Sequence, residues 1–272
     1  MSDLPLSVSG KTAVEVAHAC AQKAGRIIMA SFPGLTGEAS QVTVKGPGNF
    51  VTEADMAAER ATLELLREEY PEHGVLAEES AGESRGGEWM WVVDPLDGTH
   101  NFTRGIPHFA FNIALCRGRE PVMGLTFAPA TGEEYFAQEG QGLTVRGKPA
   151  RASRAEQVKK CLMGIGKGYD DVAAGRILEL VRELWPLEGM RDMGSAALGL
   201  AYAASNRFDL FIHHDLYPWD VAAGIVLVRE GGGAIVDRGG GPATIDSQGI
   251  VAGAPGALAE LLAMIGDRPW RE

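Results

Sequence analysis

Cysteine is scarce in this chain, with three in 272 residues: Cys20, Cys116 and Cys161. An odd number at wide intervals offers neither a disulfide framework nor the close pairs that bind zinc, so these thiols are expected to be buried or free. Long apolar runs are missing as well. No stretch approaches the roughly 18 uncharged apolar residues that a spanning helix needs. The opening MSDLPLSVSG lacks the basic-then-apolar order of a secretory signal, and the expected location is the cytoplasm. Basic residues are the minority, 25 Lys+Arg against 36 Asp+Glu, for a formal charge of −11. The lack of a surplus of cations to displace counterions from a phosphate backbone argues against general nucleic-acid or anionic-membrane binding. An anionic substrate would need a metal to supply the positive charge.

The rest is the composition of an ordinary globular chain, 45% hydrophobic and 22% charged, long enough to bury a large core as one domain or two halves. Apolar residues from Thr12 to Ser31 recur at helical spacing, and Thr12 with Glu15 forms a capping box. The Gly- and Pro-rich KGPGNF reads as a loop before a second helix from Thr52 to Glu69, capped by Thr52 and Asp55. The period then shortens. Gly74 to Ala77, Trp89 to Val93, Phe109 to Arg117, Val122 to Phe127 and Glu134 to Gln138 read as strands. The second half alternates short strands (Leu162 to Ile165, Leu210 to His213, Ala234 to Val236, Ile250 to Ala252) with helices (Asp171 to Leu184, Ser195 to Ser205, Trp219 to Glu230, Ala257 to Met264). Such alternation predicts a mixed, layered α/β fold. No repeat or charged linker interrupts it. The expectation is one unit over 1–272, with halves of about 1–150 and 151–272 joined near the polar stretch Gly147 to Gln157.

The chemistry concentrates in WVVDPLDGTHNF, Trp91 to Phe102, where an apolar strand runs into Asp94, Pro95, Leu96, Asp97, Gly98 and Thr99. Strand ends in α/β folds face a crevice, Pro95 fixes the bend between the two acids, and Gly98 lets backbone approach a ligand. Hard divalent ions use a few carboxylates plus water and substrate oxygens, so further oxygen ligands are expected elsewhere. Glu78 of LAEES and Asp220 of PWDVAAG are the candidates. Taken singly, each acid has a plain explanation as a cap, a turn residue or a solvated charge. Thr99 before a helix can be a cap and still leave backbone N–H groups for a phosphate. Asp55 is read only as the partner in its capping box.

Together, NFVTEAD (Asn49 to Asp55), AEES (Ala77 to Ser80), WVVDPLDGTHNF and WDVAAGIVLVREGGG (Trp219 to Gly233) resemble the inositol monophosphatase family of magnesium-dependent, lithium-sensitive phosphatases. RDMGSAALGLAYAASNRFD, Arg191 to Asp209, is similar to the family's substrate-side segment. The resemblance implies an αβαβα sandwich of mixed sheets between helix layers, with the metal site where the halves meet. It implies a cytoplasmic phosphomonoesterase for inositol 1-phosphate or a similar small polyol phosphate, and homodimers are common in such families. Two to three Mg²⁺ ions are implied, with Mn²⁺ as a substitute. Glu78, Asp94 and the Leu96 carbonyl would hold the first; Asp94, Asp97 and Asp220 a second; Glu78 would face a third. Gly98 and Thr99 would cradle the phosphate, and Asp97, Ser195, Ala196, His213 and Asp220 would meet the substrate. The implied mechanism is direct attack of a metal-activated water, with Thr99, Asn49 and Asp94 as the catalytic group.

Two residues depart from the family pattern. Asn49 stands where the family has an Asp that orients the attacking water. An amide oxygen can still accept a hydrogen bond, but it cannot take a proton, and general-base catalysis is typically worth ~10²–10⁴-fold. Reduced but nonzero turnover is expected. His213 stands where relatives that cleave inositol phosphates carry an acid that contacts ring hydroxyls. This keeps histidinol phosphate, fructose 1,6-bisphosphate and 3′-nucleotides open as substrates. Adjacent His213 and His214 point to opposite faces of a strand and are not expected to share a metal. His18, His73, His100 and His108 read as packing or surface residues. A different class of function, a regulatory partner of RNA polymerase or ribosome assembly with weak catalysis, also exists among bacterial members of the family. The four grouped acids argue against it, because clustered unpaired carboxylates repel one another.

Overall fold

The structure, a computed structural model, describes residues 4–37, 42–46, 49–80 and 87–266. The chain begins with α1 (Ala13–Ala30), α2 (Pro33–Thr36), β1 (Val42–Gly46), β2 (Asn49–Thr52), α3 (Glu53–Glu69) and β3 (Gly74–Ala77). It continues through β4 (Trp89–Asp97), α4 (Thr99–Thr103), β5 (Ala110–Arg117), β6 (Glu120–Ala128), β7 (Glu133–Gln138), β8 (Gly142–Val145) and β9 (Lys148–Ala150). The remainder is β10 (Leu162–Gly166), α5 (Asp171–Leu184), β11 (Gly189–Asp192), α6 (Ala196–Ala204), β12 (Leu210–His214), α7 (Pro218–Glu230), β13 (Ala234–Asp237), β14 (Gly249–Gly253) and α8 (Pro255–Ile265).

Both long N-terminal helices start where capping chemistry places them. Thr12 Oγ1 accepts from the Glu15 N–H at 3.2 Å while the Glu15 carboxylate accepts from the Thr12 N–H at 2.8 Å. Thr52 and Asp55 repeat the arrangement for α3. Two helix bounds shift for the same kind of reason. Ser195 is the N-cap of α6 rather than its first residue, and α8 begins at Pro255, whose missing N–H costs nothing at that position.

Strand alternation divides the interior into layers. Along β4, Trp91 and Val93 face a core shared with α1 and α3, whereas Met90 and Val92 face α6 and α7. The seven-stranded sheet, ordered β3-β4-β5-β6-β7-β8-β9, therefore lies between two helix pairs. The five-stranded sheet, ordered β11-β10-β12-β14-β13, turns Phe211, Ile250 and Ala252 toward α6 and α7. Its other face gives Met163, Ile165, Ile212 and Val251 to α5 and α8. The result is an α/β sandwich of five layers, αβαβα, with both sheets mixed in strand direction. All three cysteines are buried and free.

The segment read as a loop around KGPGNF carries the antiparallel pair β1–β2. The β-branched and aromatic residues on either side, Val42, Thr43, Val44, Phe50, Val51 and Thr52, outweigh the Gly and Pro between them. The strand expected to stop at Val93 continues to Asp97, and β8, β9, β11 and the single-turn α4 are further additions. Among the described residues no helix is long and apolar enough to cross a membrane.

Candidate functional site

β4 pairs with β5 in regular antiparallel register from Trp89↔Arg117 to Asp94↔Asn112, then jumps to Asp97↔Ala110. Two residues of β4, Pro95 and Leu96, lie opposite the single residue Phe111. Acids three apart on a regular strand would point to opposite faces of the sheet. The extra residue cancels that inversion and turns Asp94 and Asp97 toward the same side. Pro95 fits an irregular position because it has no N–H for the ladder.

Each acid is then fixed by donors of its own. Asp94 is buried, and its Oδ1 accepts from the Leu96 N–H at 3.0 Å. Asp97 sits at the N-terminus of α6. There it accepts from the Ser195 hydroxyl, the Ala196 N–H at 3.2 Å and the Ala197 N–H at 3.0 Å. Asp220, in the first turn of α7, accepts from the Tyr217 N–H at 2.6 Å. Three elements thus bring one carboxylate oxygen each from Asp94, Asp97 and Asp220 within 4.8 Å of one another. Glu78 follows β3 and shares a side-chain hydrogen bond with Asp94. Burial and mutual repulsion push Asp94 and Asp220 well above the usual carboxylate range. Asp97 is also raised by burial, against the pull of its Ser195 and backbone donors.

The donor set fits a hard divalent cation. It is made of oxygens alone, with no His or Cys among the three grouped residues, and its carboxyls carry the unrelieved repulsion that a cation would remove.

The acids line a cavity of ≈550 Å³ together with Leu96, Gly98, Thr99, Ser195, Ala196 and His213. Gly98 has φ of 89°, and a Cβ there would stand 3.1 Å from the His108 carbonyl oxygen, so both conformation and space demand glycine. Thr99 Oγ1 lies 3.0 Å from the Leu96 carbonyl and 3.2 Å from Asp55 Oδ1. Asn49 belongs to β2, and its side chain lies outside the described residues. Ser195 and Ala196 border the cavity, but the hydroxyl of one and the N–H of the other are committed to Asp97. His213 donates from Nδ1 to the His214 carbonyl at 2.5 Å, and its ring lies over Gly166, where a Cβ would collide with it. Burial pushes His213 down to about 4, so at neutral pH Nε2 is an uncharged acceptor.

Several contributors were not singled out from sequence. Asp55 caps α3 and also receives Thr99. Asn112 on β5 donates to the Trp219 carbonyl at 2.7 Å, steadying the start of α7 one residue before Asp220. Asn101 donates to the carbonyls of His108 and Met193 at 2.8 and 2.7 Å, tying α4 to the loop before α6. His100, read as a surface residue, is exposed and stacks on Tyr169 at the cavity wall. Tyr217 stacks on Trp219, both lining the cavity, with ring centroids 5.1 Å apart. Asn101 lies within the WVVDPLDGTHNF segment and Asn112 stands opposite Asp94 on β5, but Met193 and Trp219, which they hold, are remote in sequence.

Comparison with known proteins gives a consistent picture. The model of the "Inositol monophosphatase family" matches residues 11–267. An inositol-1-monophosphatase of Rhizobium meliloti is 40% identical over 237 residues, covering 85% of this chain and 87% of that protein. A protein of Escherichia coli K12 named Nus factor SuhB is 37% identical over 262 residues, covering 93% and 96%. The crystal structure of the extragenic suppressor protein suhB from Bartonella henselae superposes with a TM-score of 0.86 at 34% identity, covering 93% of this chain and 98% of that one.

Proposed function

The chain belongs to the inositol monophosphatase family, and on that premise we propose that it is a Mg²⁺-dependent phosphomonoesterase acting on inositol 1-phosphate or a similar small polyol phosphate. The observation that carries this reading is the convergence of Asp94, Asp97 and Asp220 within 4.8 Å, beside Gly98 and Thr99. In this reading Asp94, Asp97 and Asp220, with Glu78 and the Leu96 carbonyl, hold two to three cations. Bound Mg²⁺, or Mn²⁺ in its place, supplies a Lewis acid that lowers the pKa of water and offsets the charge of the ester.

The protein's own residues supply position. Asp97 and Asp220 are oriented before any ligand arrives, through the donors at the starts of α6 and α7. Gly98 keeps the backbone narrow where the phosphate rests, and Thr99 offers a hydroxyl beside it. On the alcohol side, neutral His213 accepts from a ring hydroxyl. Asp192 and Asp215 also line that side, with Lys167 as its cation, so a second phosphate is disfavoured relative to a polyol.

The test is phosphate release from inositol 1-phosphate with Mg²⁺ or with EDTA, using Asp94→Asn to exclude a contaminating phosphatase. Release that needs Mg²⁺ and disappears in the variant is the expected result. Histidinol phosphate, fructose 1,6-bisphosphate and a 3′-nucleotide complete the panel, and turnover of only one of these would reassign the substrate. The 37% identity to a Nus factor favours a second reading, a regulatory role. Capture of purified RNA polymerase by a chain with no phosphatase activity would select it.

A further inference from the structure

Two rings on the cavity wall come from different halves of the chain. His100 follows Gly98 and Thr99 in α4, directly after β4, whereas Tyr169 lies in the loop between β10 and α5. Their rings stack with centroids 6.0 Å apart and planes 27° from parallel, and both line the cavity. The loop is built to bring the tyrosine there. Gly168 has φ of 66°, and a Cβ on it would stand 2.4 Å from Asp215 Cβ, so the backbone passes close against the end of β12. The Tyr169 N–H then donates to Asp215 Oδ2 at 3.0 Å. Burial and the charges of Asp97, Asp220, Glu78 and Asp94 push the phenol up, which places its hydroxyl end toward the acids. The residue as a whole is nonetheless 54% exposed, so ring surface that His100 does not cover stands open beside the cavity.

We propose that Tyr169, held in place by His100 and Asp215, is a specificity-determining residue whose open ring face packs against the C–H face of a cyclic polyol, so that the site selects ring alcohols over open-chain ones. This inference rests on the phosphatase reading and deepens it by naming the feature that recognises the alcohol. The face of an aromatic ring carries partial negative charge, so it attracts polarised C–H groups and disfavours hydroxyl oxygens. A ring polyol whose hydroxyls are mostly equatorial has C–H bonds on its faces and oxygens around its rim. Its rim meets the polar lining, in which His213 and Asp192 stand. An open-chain polyol has no fixed apolar face, and ordering it against the ring costs torsional freedom that a cyclic alcohol has already given up. Position agrees with this role. His100 is the residue after Thr99, so the stack stands beside the phosphate cradle, where the esterified carbon of the alcohol must lie. Both supports of the tyrosine are in place without a ligand, so the wall is ordered before substrate arrives.

The experiment measures kcat/KM for inositol 1-phosphate and glycerol 2-phosphate, a cyclic and an open-chain secondary ester, in wild type, Tyr169→Phe, Tyr169→Ala and His100→Ala at saturating Mg²⁺. The readout is the ratio of the two values, in which any change common to both esters cancels, including one in the cations or in the folded fraction. Expected is a wild-type ratio in favour of the cyclic ester that falls about tenfold in Tyr169→Ala, mainly through KM for that ester. His100→Ala leaves the tyrosine ring without its support and is expected to lower the ratio about threefold. Tyr169→Phe keeps the ring and is expected to hold the ratio within about twofold of wild type. An unchanged ratio in Tyr169→Ala would overturn the proposal. So would a ratio in Tyr169→Phe as low as in the alanine variant, because the hydroxyl and not the ring face would then discriminate. A wild type that turns over glycerol 2-phosphate, or another ester of the panel, but not inositol 1-phosphate would overturn it as well. If Tyr169→Ala does not fold, Tyr169→Leu takes its place with the same expected fall, since it keeps apolar bulk without an aromatic face. Wild-type protein with no release from any of these esters sinks the phosphatase reading and this inference together. Mg²⁺-dependent release with a ratio indifferent to the loss of the ring sinks the inference alone.

Discussion

At the scale of the residue, Ser195 shows how one small side chain couples a helix start to a cation site. Its hydroxyl donates to Asp97 and accepts from the Leu198 N–H at 3.2 Å, so it caps α6 and aims the carboxylate at once. Ser195→Ala removes both. Loss of the cap costs about 1 kcal/mol, and loss of an outer partner of a metal-binding carboxylate typically weakens affinity about 10–100-fold. Calorimetric titration with Mg²⁺ is expected to show that weakening together with a small fall in Tm; an unchanged Mg²⁺ affinity would remove Ser195 from the site. Asp94 and Asp97 stood out in sequence at the end of an apolar strand and Asp220 at a helix start, although each taken singly also reads as a cap or a turn residue. Asp55 did not, since the Thr52 capping box already gave it a complete local explanation. Ser195 and Asn112 were half-hidden for another reason: their partners Asp97 and Trp219 lie about a hundred residues away.

At the scale of the element, the site depends on how closely α7 lies against β6. Gly124 on β6 faces α7, and a Cβ there would stand 2.6 Å from the Ala223 carbonyl oxygen and 2.7 Å from its Cα. Both are backbone atoms with no rotamer to change, so α7 itself must move. Gly124→Ala is expected to cost about 1–3 kcal/mol and to weaken Mg²⁺ binding, because Asp220 stands one turn before Ala223 on the same helix. Thermal melting and Mg²⁺ titration check both effects; a melt like that of wild type would show that the close approach is not rigid. Gly175, on the exposed face of α5 with no atom near its Cβ position, is the contrast. Gly175→Ala is expected to stabilise by about 1 kcal/mol through helix propensity. Periodicity exposed the long helices and inner strands, since burial on one face imprints it. The bulge in β4 and the short pair β1–β2 left no such imprint: the bulge breaks the period it would be read from, and the Gly and Pro between β1 and β2 read as a loop.

At the scale of the whole molecule, the uncomplexed chain is squeezed by pH from two sides. His213 and His214 are both pushed down to about 4, chiefly by burial, whereas in the unfolded chain they titrate near 6.5. As pH falls below 6.5 the unfolded state takes up protons that the folded state refuses, so stability declines until pH reaches about 4. Asp94, Asp97 and Asp220 act in the opposite sense. Their folded pKa values are raised by burial and, for Asp94 and Asp220, by neighbouring acids. Their contribution is complete below the unfolded value of 3.8 and is lost as pH rises through the folded values, while like charges accumulate at the site. A divalent cation removes that second penalty by replacing the protons, so its stabilising effect must grow with pH. At a Mg²⁺ concentration 100-fold above the dissociation constant, linkage gives about 2.7 kcal/mol, or a Tm rise of roughly 5–10 °C for a chain of this size. Thermal melts at pH 5.5 and pH 8, with and without Mg²⁺, are expected to show the larger rise at pH 8, and Asp94→Asn should abolish the difference. Equal rises at both pH values would mean that protons and Mg²⁺ do not compete for these carboxylates, and the cation would then have to be held elsewhere in the chain.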